Sequence, residues 1–375
     1  MTYLLHEAVP AGSPAVHALI IAVGEYPFLE GGAQPPPIID TANMGQLASP
    51  SLSALRISEW LMRDLRPRGA KCATVEVLCS GNAAFVDSNG NAATPERATL
   101  ANVRAAVNRW FALADSHSDN VALFYFCGHG VTSGAVDSLL LEEFGGDALD
   151  PFGSGAIDAT AFSDGMRRCK ALNQLFLFDA CRTAPQVYLR QYGAARGVAL
   201  VSAAPNTGLG SINQACIWAS ELGLPAYGRT SDQSVFAEAF LRSMNGASAE
   251  RDPLTGDWLV QCSRLATGMD AYVKRILGQQ RQFVTATRMT LGFPLHVLSA
   301  PPLVPVRVSC APPTRTPLIE LRCNNGAQRP AGPADAWHLD LPYGSYQFEA
   351  HEGPAVRDVQ QCPASPPAAI VVFNV

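Results

Sequence analysis

The sequence predicts an α/β protein with a mainly parallel sheet flanked by helices, followed by a small all-β domain. Three observations carry that expectation. Strand-length apolar runs alternate with helically spaced segments from residue 16 to residue 277, the pattern of strand–helix–strand units. Two of the runs end abruptly in polar, reactive residues, and the carboxyl ends of strands are where an open parallel sheet presents its chemistry. Beyond residue 299 prolines become dense, helical spacing stops, and short segments alternate apolar with polar residues.

Taken in order, residues 16–23 (VHALIIAV) form a continuous apolar run closed by Gly24 and read as the first, central strand. A loop rich in glycine and proline follows, with Gly31, Gly32 and Pro35. Over 51–65, Leu52, Leu55, Trp60, Leu61 and Leu65 keep helical spacing, and 74–78 (TVEVL) alternates as a second strand. Asp87, Asn89 and Asn91 mimic the start of a calcium loop. The sixth position is Ala92 and the twelfth Ala98, so the segment reads as a plain turn. Thr99 is placed to cap a helix through Ala114, with Val103, Ala106, Val107, Trp110 and Phe111 on its apolar face.

The two runs that organise the chain are 120–130 (NVALFYFCGHG) and 173–184 (NQLFLFDACRTA). Between them lie a short strand at 137–141, an acidic loop with Glu142, Glu143, Asp147 and Asp150, and a helix over 159–169. After them, 197–202 (GVALVS) reads as the next strand, 206–234 as loops wrapping the site, and 235–243 and 262–277 as helices. Residues 301–317 read as a proline-rich linker joining a first domain, 1–300, to a small β-sandwich-like module, 318–375. Strands are expected in that module at 318–322, 337–341, 346–351 and 370–375, with Pro342-Tyr343-Gly344-Ser345 as a hairpin turn.

Composition narrows the function. The chain has 375 residues, 48% of them hydrophobic, and a mean hydropathy of +0.08, which suits a well-filled core. A net charge of −5 argues against nucleic-acid binding, which needs a basic face. No apolar stretch reaches the length of a membrane span, and the first residues lack a signal-peptide pattern, so a cytoplasmic location is expected. The ten cysteines include no CxxC pair and are expected to stay reduced.

The chemistry lies where the two organising runs end. Adjacent parallel strands, one ending in His129 and the other in Cys181, would set an imidazole beside a thiol, a nucleophile with its base. The anionic oxygen formed on an attacked carbonyl needs preorganised donors, and the amides of Gly130 and Cys181 can supply them. Cys127 and His129 have C-x-H spacing but no partner pair, so no metal is expected.

These residues resemble the caspase-like cysteine peptidases, the group of caspases, paracaspases and metacaspases. The resemblance spans about residues 16–298. It rests on the ALIIAVG strand, the GHG and DAC motifs about 50 residues apart, the GVALVSAAP segment and the FAEAFLRSM helix. It implies a caspase-like fold with Cys181 as nucleophile, His129 as general base and then acid, and Gly130 and Cys181 as the oxyanion hole, working as a dyad without a third acid. Caspases have Gln two positions before the nucleophile. Asp179 stands there in this chain, as an acid does in metacaspases, where it faces a substrate Arg or Lys.

The motif is closest to bacterial metacaspase-like proteases, with departures. Their Asn-Asp pair after the first strand is missing from 46–55, which holds Ser51 and Ser53. Asp40 is the nearest substitute for the second acid of the specificity pocket. The expectation is therefore a cysteine endopeptidase cutting after Arg or Lys, as a regulatory protease in a bacterial stress or defence pathway. Two alternatives stay open: an inactive caspase-like scaffold and an Asp-specific enzyme.

Protein substrates are the expected partners, with an upstream activating protease or regulator engaging the β module. No cofactor is called for, while Ca2+ activation, common among metacaspases, is left open. If maturation follows the family habit of a cut after the nucleophile strand, Arg190 and Arg196 are the candidate sites, with Arg229 a further one. Arg182 adjoins the nucleophile and should be held in place.

Overall fold

The computed structural model describes residues 2–35, 41–183, 190, 196–202, 212–224, 226, 228–278, 282–289 and 292–375. They divide into two compact units, Met1–Glu238 with Gln282–Leu295, and Ala239–Arg281 with His296–Val375. The boundary differs from the expected break at residue 300, because the segment 239–281 belongs to the second unit.

In the first unit the elements run β1 (Tyr3–His6), β2 (Ala15–Val23), α1 (Ser49–Arg63), β3 (Lys71–Ser80), α2 (Leu100–Ala114), β4 (Val121–Cys127), β5 (Gly130–Ser133), β6 (Val136–Leu140), α3 (Ala159–Gly165), β7 (Asn173–Asp179) and β8 (Asn213–Trp218). Helix α4 (Val235–Arg242) follows, and β9 (Thr285–Met289) completes the main sheet. That sheet has seven strands in the order β1-β3-β2-β4-β7-β8-β9. The contacts among β3, β2, β4, β7 and β8 are parallel, and only the edge strands β1 and β9 run antiparallel. The mainly parallel α/β fold is therefore observed.

Local signals placed the elements well where they were strong. Thr99 caps α2 by accepting the Asn102 N–H at 3.2 Å, and Val103, Ala106, Val107 and Trp110 are the buried face. The Trp110 indole donates to the His17 carbonyl at 2.9 Å and so pins α2 to β2. Below the sheet, Phe124, Phe126, Phe162, Phe176 and Phe178 pack with Trp110 in one aromatic cluster. Each such side chain contributes roughly 1.5–3 kcal/mol on burial. Asp87 accepts the N–H groups of Asn89 and Asn91 within a small hairpin, the turn expected there.

One strand was assigned to the wrong segment. Residues 197–202 make a single bridge, Val198 with Ile157, and the strand beside β7 is Asn213–Trp218. Gly197 is pressed so close to Ala156 that a Cβ would sit 2.6 Å from its carbonyl carbon, and Val201 packs against Gly165 of α3. The apolar residues of 197–202 cover that side of the unit instead of entering the sheet. Asn213 and Gln214 masked the true strand. Gln214 is buried and donates to the Ser163 carbonyl and to Gln174.

The second unit holds α5 (Cys262–Ala271) and a set of strands: β10 (Leu303–Ala311), β11 (Glu320–Cys323), β12 (Trp337–Pro342), β13 (Gly344–Glu352), β14 (Ala355–Ala364) and β15 (Ala369–Asn374). One sheet is ordered β12-β10-β15. The other joins β11, β13 and β14 with the short strand Gln328–Arg329. Val306, Val308, Leu321, Phe348, Val371 and Phe373 share the core between them, a sandwich arrangement.

Two expectations fail here. Residues 301–317 are not a linker, because β10 is the central strand of its sheet. Its Pro305 is tolerated because pairing with β15 begins only at Val306, which leaves one side of the strand open there. Pro342-Tyr343-Gly344-Ser345 is not a hairpin turn either. It carries the chain from β12 in one sheet to β13 in the other. Among the described residues no helix is long and apolar enough to cross a membrane.

Candidate active site

Strands β4 and β7 run parallel and in register, with Cys127 opposite Asp179. The Gly128 N–H donates to the Asp179 carbonyl at 3.2 Å, so both chains leave the sheet together. Two positions beyond that pair stand His129 and Cys181. Gly130 lies against Cys181: a Cβ there would meet the Cys181 carbonyl oxygen at 2.5 Å, so no larger residue fits. The Leu140 N–H donates to the His129 carbonyl, which makes Gly130–Leu139 a non-hydrogen-bonded pair of the β5–β6 ladder. The Gly130 amide is thereby left on the side of β5 that meets Cys181 and Thr183, where the Thr132 N–H donates to Thr183.

His129 is caged from the loop after β2. Its backbone N–H donates to the Tyr26 hydroxyl at 2.8 Å, and the Tyr26 ring lies 4.8 Å from the imidazole. Its Nε2 meets the Gly45 carbonyl at 2.7 Å. A carbonyl only accepts, so Nε2 carries the hydrogen, and in the neutral ring the lone pair is at Nδ1. Gln46 locks the cage by accepting the Tyr26 N–H and donating to the carbonyls of Tyr26 and Glu30. Burial holds the imidazole below its ordinary value of 6.5, partly offset by the Gly45 carbonyl.

The Cys181 thiol accepts the Ala226 N–H at 3.2 Å. Burial lifts its pKa above the ordinary 9.0, the Ala226 amide lowers it, and the negative Asp179 nearby raises it again. Among the described residues no hydrogen bond joins the thiol to the imidazole, and burial favours the uncharged form of each. Arg182 is held as expected: it pairs in bidentate fashion with Asp137, at 3.0 and 2.9 Å, and lies over the Trp218 ring.

Asp179 is buried on the opposite side of β7 from the Phe176–Phe178 cluster. Its carboxylate accepts from the Tyr125 hydroxyl at 2.8 Å, from the Ser234 hydroxyl, and from the Cys127 thiol. Ser234 also accepts the Ala237 N–H at the start of α4, and its own N–H is taken by Ser53 of α1. Among the described residues no cation pairs with Asp179, and burial raises its pKa from 3.8 against the pull of its three donors.

A family model for the caspase domain matches residues 15–256, which takes in β2, His129, Asp179 and Cys181. The chain belongs to the caspase-domain family. That family is one of cysteine peptidases. An uncharacterised protein of Sinorhizobium fredii is 24% identical over 257 residues, 67% of this chain and 73% of its own. Caspase-1 from Spodoptera frugiperda aligns over 74% of this chain and 89% of its own, at 14% identity and a TM-score of 0.42. A Geobacter sulfurreducens protein aligns over 73% and 92% at 12% identity and a TM-score of 0.41.

In this caspase domain the structure brings His129, Gly130, Asp179 and Cys181 to one end of the sheet. Asp40 lies outside the described residues. Arg190 and Arg196 are both exposed; Arg196 is ion-paired at 2.8 Å with the buried Asp158 that caps α3, and Arg229 pairs with Glu238 at 2.6 Å. Sequence reasoning missed Tyr26, Gly45, Gln46, Tyr125 and Ser234. Tyr26 follows β2 by three residues, so its position beside a strand end was a usable signal. Ser234 carried none beyond a serine before a helix.

Proposed function

We propose that this caspase domain is a cysteine endopeptidase that uses Cys181 and His129 as a dyad and cuts after Arg or Lys. His129 Nδ1 takes the thiol proton as Sγ bonds to the substrate carbonyl carbon. The carbonyl oxygen becomes anionic and accepts the Gly130 and Cys181 amides. The C–N bond then breaks, and the departing amine takes the proton from Nδ1. Water, deprotonated by the same nitrogen, attacks the thioester, and Sγ leaves as the acid is released.

The observation that carries the specificity is Asp179, a buried acid beside the nucleophile with hydroxyl and thiol donors and no cation among its described partners. A carboxylate so placed favours a guanidinium or ammonium and rejects a substrate aspartate, since two buried anions would face each other. The same residue favours the metacaspase-like branch of the family. Fluorogenic peptides identical except for Arg, Lys or Asp before the scissile bond test the reading, with Cys181→Ala and His129→Ala alongside. Turnover of the arginyl and lysyl peptides alone, lost in both variants, is expected. Preference for the aspartyl peptide overturns the specificity, and full activity of either variant overturns the dyad.

A further inference from the structure

A cavity of about 750 Å³ opens at the ends of β2 and β3, on the His129 side of the nucleophile. That size lies within the roughly 300–1,000 Å³ of ordinary ligand sites. It begins one residue from each contact that cages the imidazole. Glu25 and Pro27 flank Tyr26, Gln46 follows Gly45, and all three line it. Pro27, Leu47, Ala48 and Leu52 give it an apolar wall, and Gly24 and Gly81 close its floor at the strand ends. A Cβ on Gly24 would strike the Leu47 carbonyl oxygen at 2.5 Å. The two charged groups of the lining, Glu25 and Arg97, neutralise one another at 3.0 Å, and Arg97 also pairs with Glu142.

We infer that this cavity binds apolar side chains of the substrate on the carboxyl side of the cleaved bond. The inference rests on the peptidase reading and names a second determinant of its specificity. The sheet order β7-β4-β2-β3 sets the nucleophile, the imidazole and the cavity in sequence across the top of the sheet. The imidazole must hand its proton to the departing amine, so the chain attached to that nitrogen leaves past His129, toward the cavity. A charged side chain would find the two charged groups of the lining already paired with one another, whereas an apolar one gains contact with Pro27, Leu47, Ala48 and Leu52.

The test uses the full-length protein and two substrates sharing one arginyl segment. One is an arginyl coumarylamide, with no residues after the bond. The other is an internally quenched peptide with Leu or Phe in the first two positions after Arg, compared with Gly and Glu at the same places. The variants Ala33→Trp and Asn82→Trp put a ring into the cavity from exposed positions that do not touch His129. The quenched apolar peptide should exceed its Gly and Glu counterparts about tenfold in kcat/KM. It should fall by a similar factor in both variants, while coumarylamide turnover is unchanged.

Equal turnover of the three peptides, or equal losses on both substrates, overturns the inference. Anisotropy of the labelled apolar peptide on Cys181→Ala reads the same contact without chemistry. Weaker binding after Ala33→Trp is expected, and unchanged binding overturns it. Absence of all turnover in the parent protein would count against the peptidase reading alone.

Discussion

The Tyr26 hydroxyl accepts the backbone N–H of His129 at 2.8 Å and donates to the Leu140 carbonyl at 3.2 Å. One buried phenol therefore joins the loop after β2 to His129 and to the end of β6. Gly128 explains why the contact is close: a Cβ there would lie 2.7 Å from the same hydroxyl. Tyr26→Phe strips the His129 N–H of its acceptor, and an unmet buried donor costs about 1–3 kcal/mol. Turnover of an arginyl peptide should fall about tenfold or more in kcat with KM little changed. A kcat equal to that of the parent would show that Gly45 and Gln46 hold the imidazole without Tyr26.

The pH profile follows from the two shifts at the dyad. His129 is held below 6.5 by burial, so it stays neutral and able to accept a proton well into mild acid. Cys181 is lifted above 9.0, so the thiol keeps its proton beyond the usual basic limit. kcat/KM should therefore show a broad plateau, with its acid limb centred below 6.5 and its basic limb above 9.0. A basic limb centred below 9.0, set by loss of the imidazolium proton, would mean that the resting pair is thiolate and imidazolium.

Asp179 sets stability against specificity. Its folded pKa lies above 3.8, so between that value and the folded one the native state holds the extra proton. Stability from this group is lost as pH rises through the folded pKa, and at neutral pH the buried carboxylate is a cost. Asp179→Asn should leave Tm equal or higher at pH 7 while kcat/KM on an arginyl peptide falls ~10- to 100-fold, the worth of a charge-assisted contact. A clear drop in Tm with unchanged arginyl cleavage would make Asp179 a structural group alone.

A chain ended after Pro312 should not fold. That cut keeps β10 but removes β12 and β15, its partners on both sides, and uncovers Val304, Val306, Val308 and Cys310. The shortened protein should be insoluble or lack a cooperative unfolding transition, read by calorimetry. A soluble product melting like the full chain would show that the sandwich adds nothing to the segment left behind.

If the protein matures by cutting itself, Arg190 is the site the structure favours. Arg190 and Arg196 are both exposed, but Arg196 and Arg229 are engaged by Asp158 and Glu238. Terminal sequencing of incubated protein should find a new start at Gln191, absent from Cys181→Ala. Fragments starting at Gly197 or Thr230 instead would show that ion pairing does not protect an arginine here.

The positions of Cys181, His129 and Asp179 at one end of the sheet were legible because each follows or closes a short apolar run, a pattern written within a few neighbouring residues. Helix α2 was legible for the same reason, from Thr99 and the spacing to Trp110. The cage around His129 was not, since Tyr26 and Gly45 stand 103 and 84 residues from it and meet it only when the sheet assembles. The choice of Asn213–Trp218 over 197–202, and of β10 as a strand, was likewise decided by packing. Segments 197–202 and 213–218 both carry apolar residues, and only competition for the place beside β7 separates them. Periodicity and capping are local energies and show in the chain itself. Partner choice is a difference between distant contacts, so the tertiary structure alone decided it.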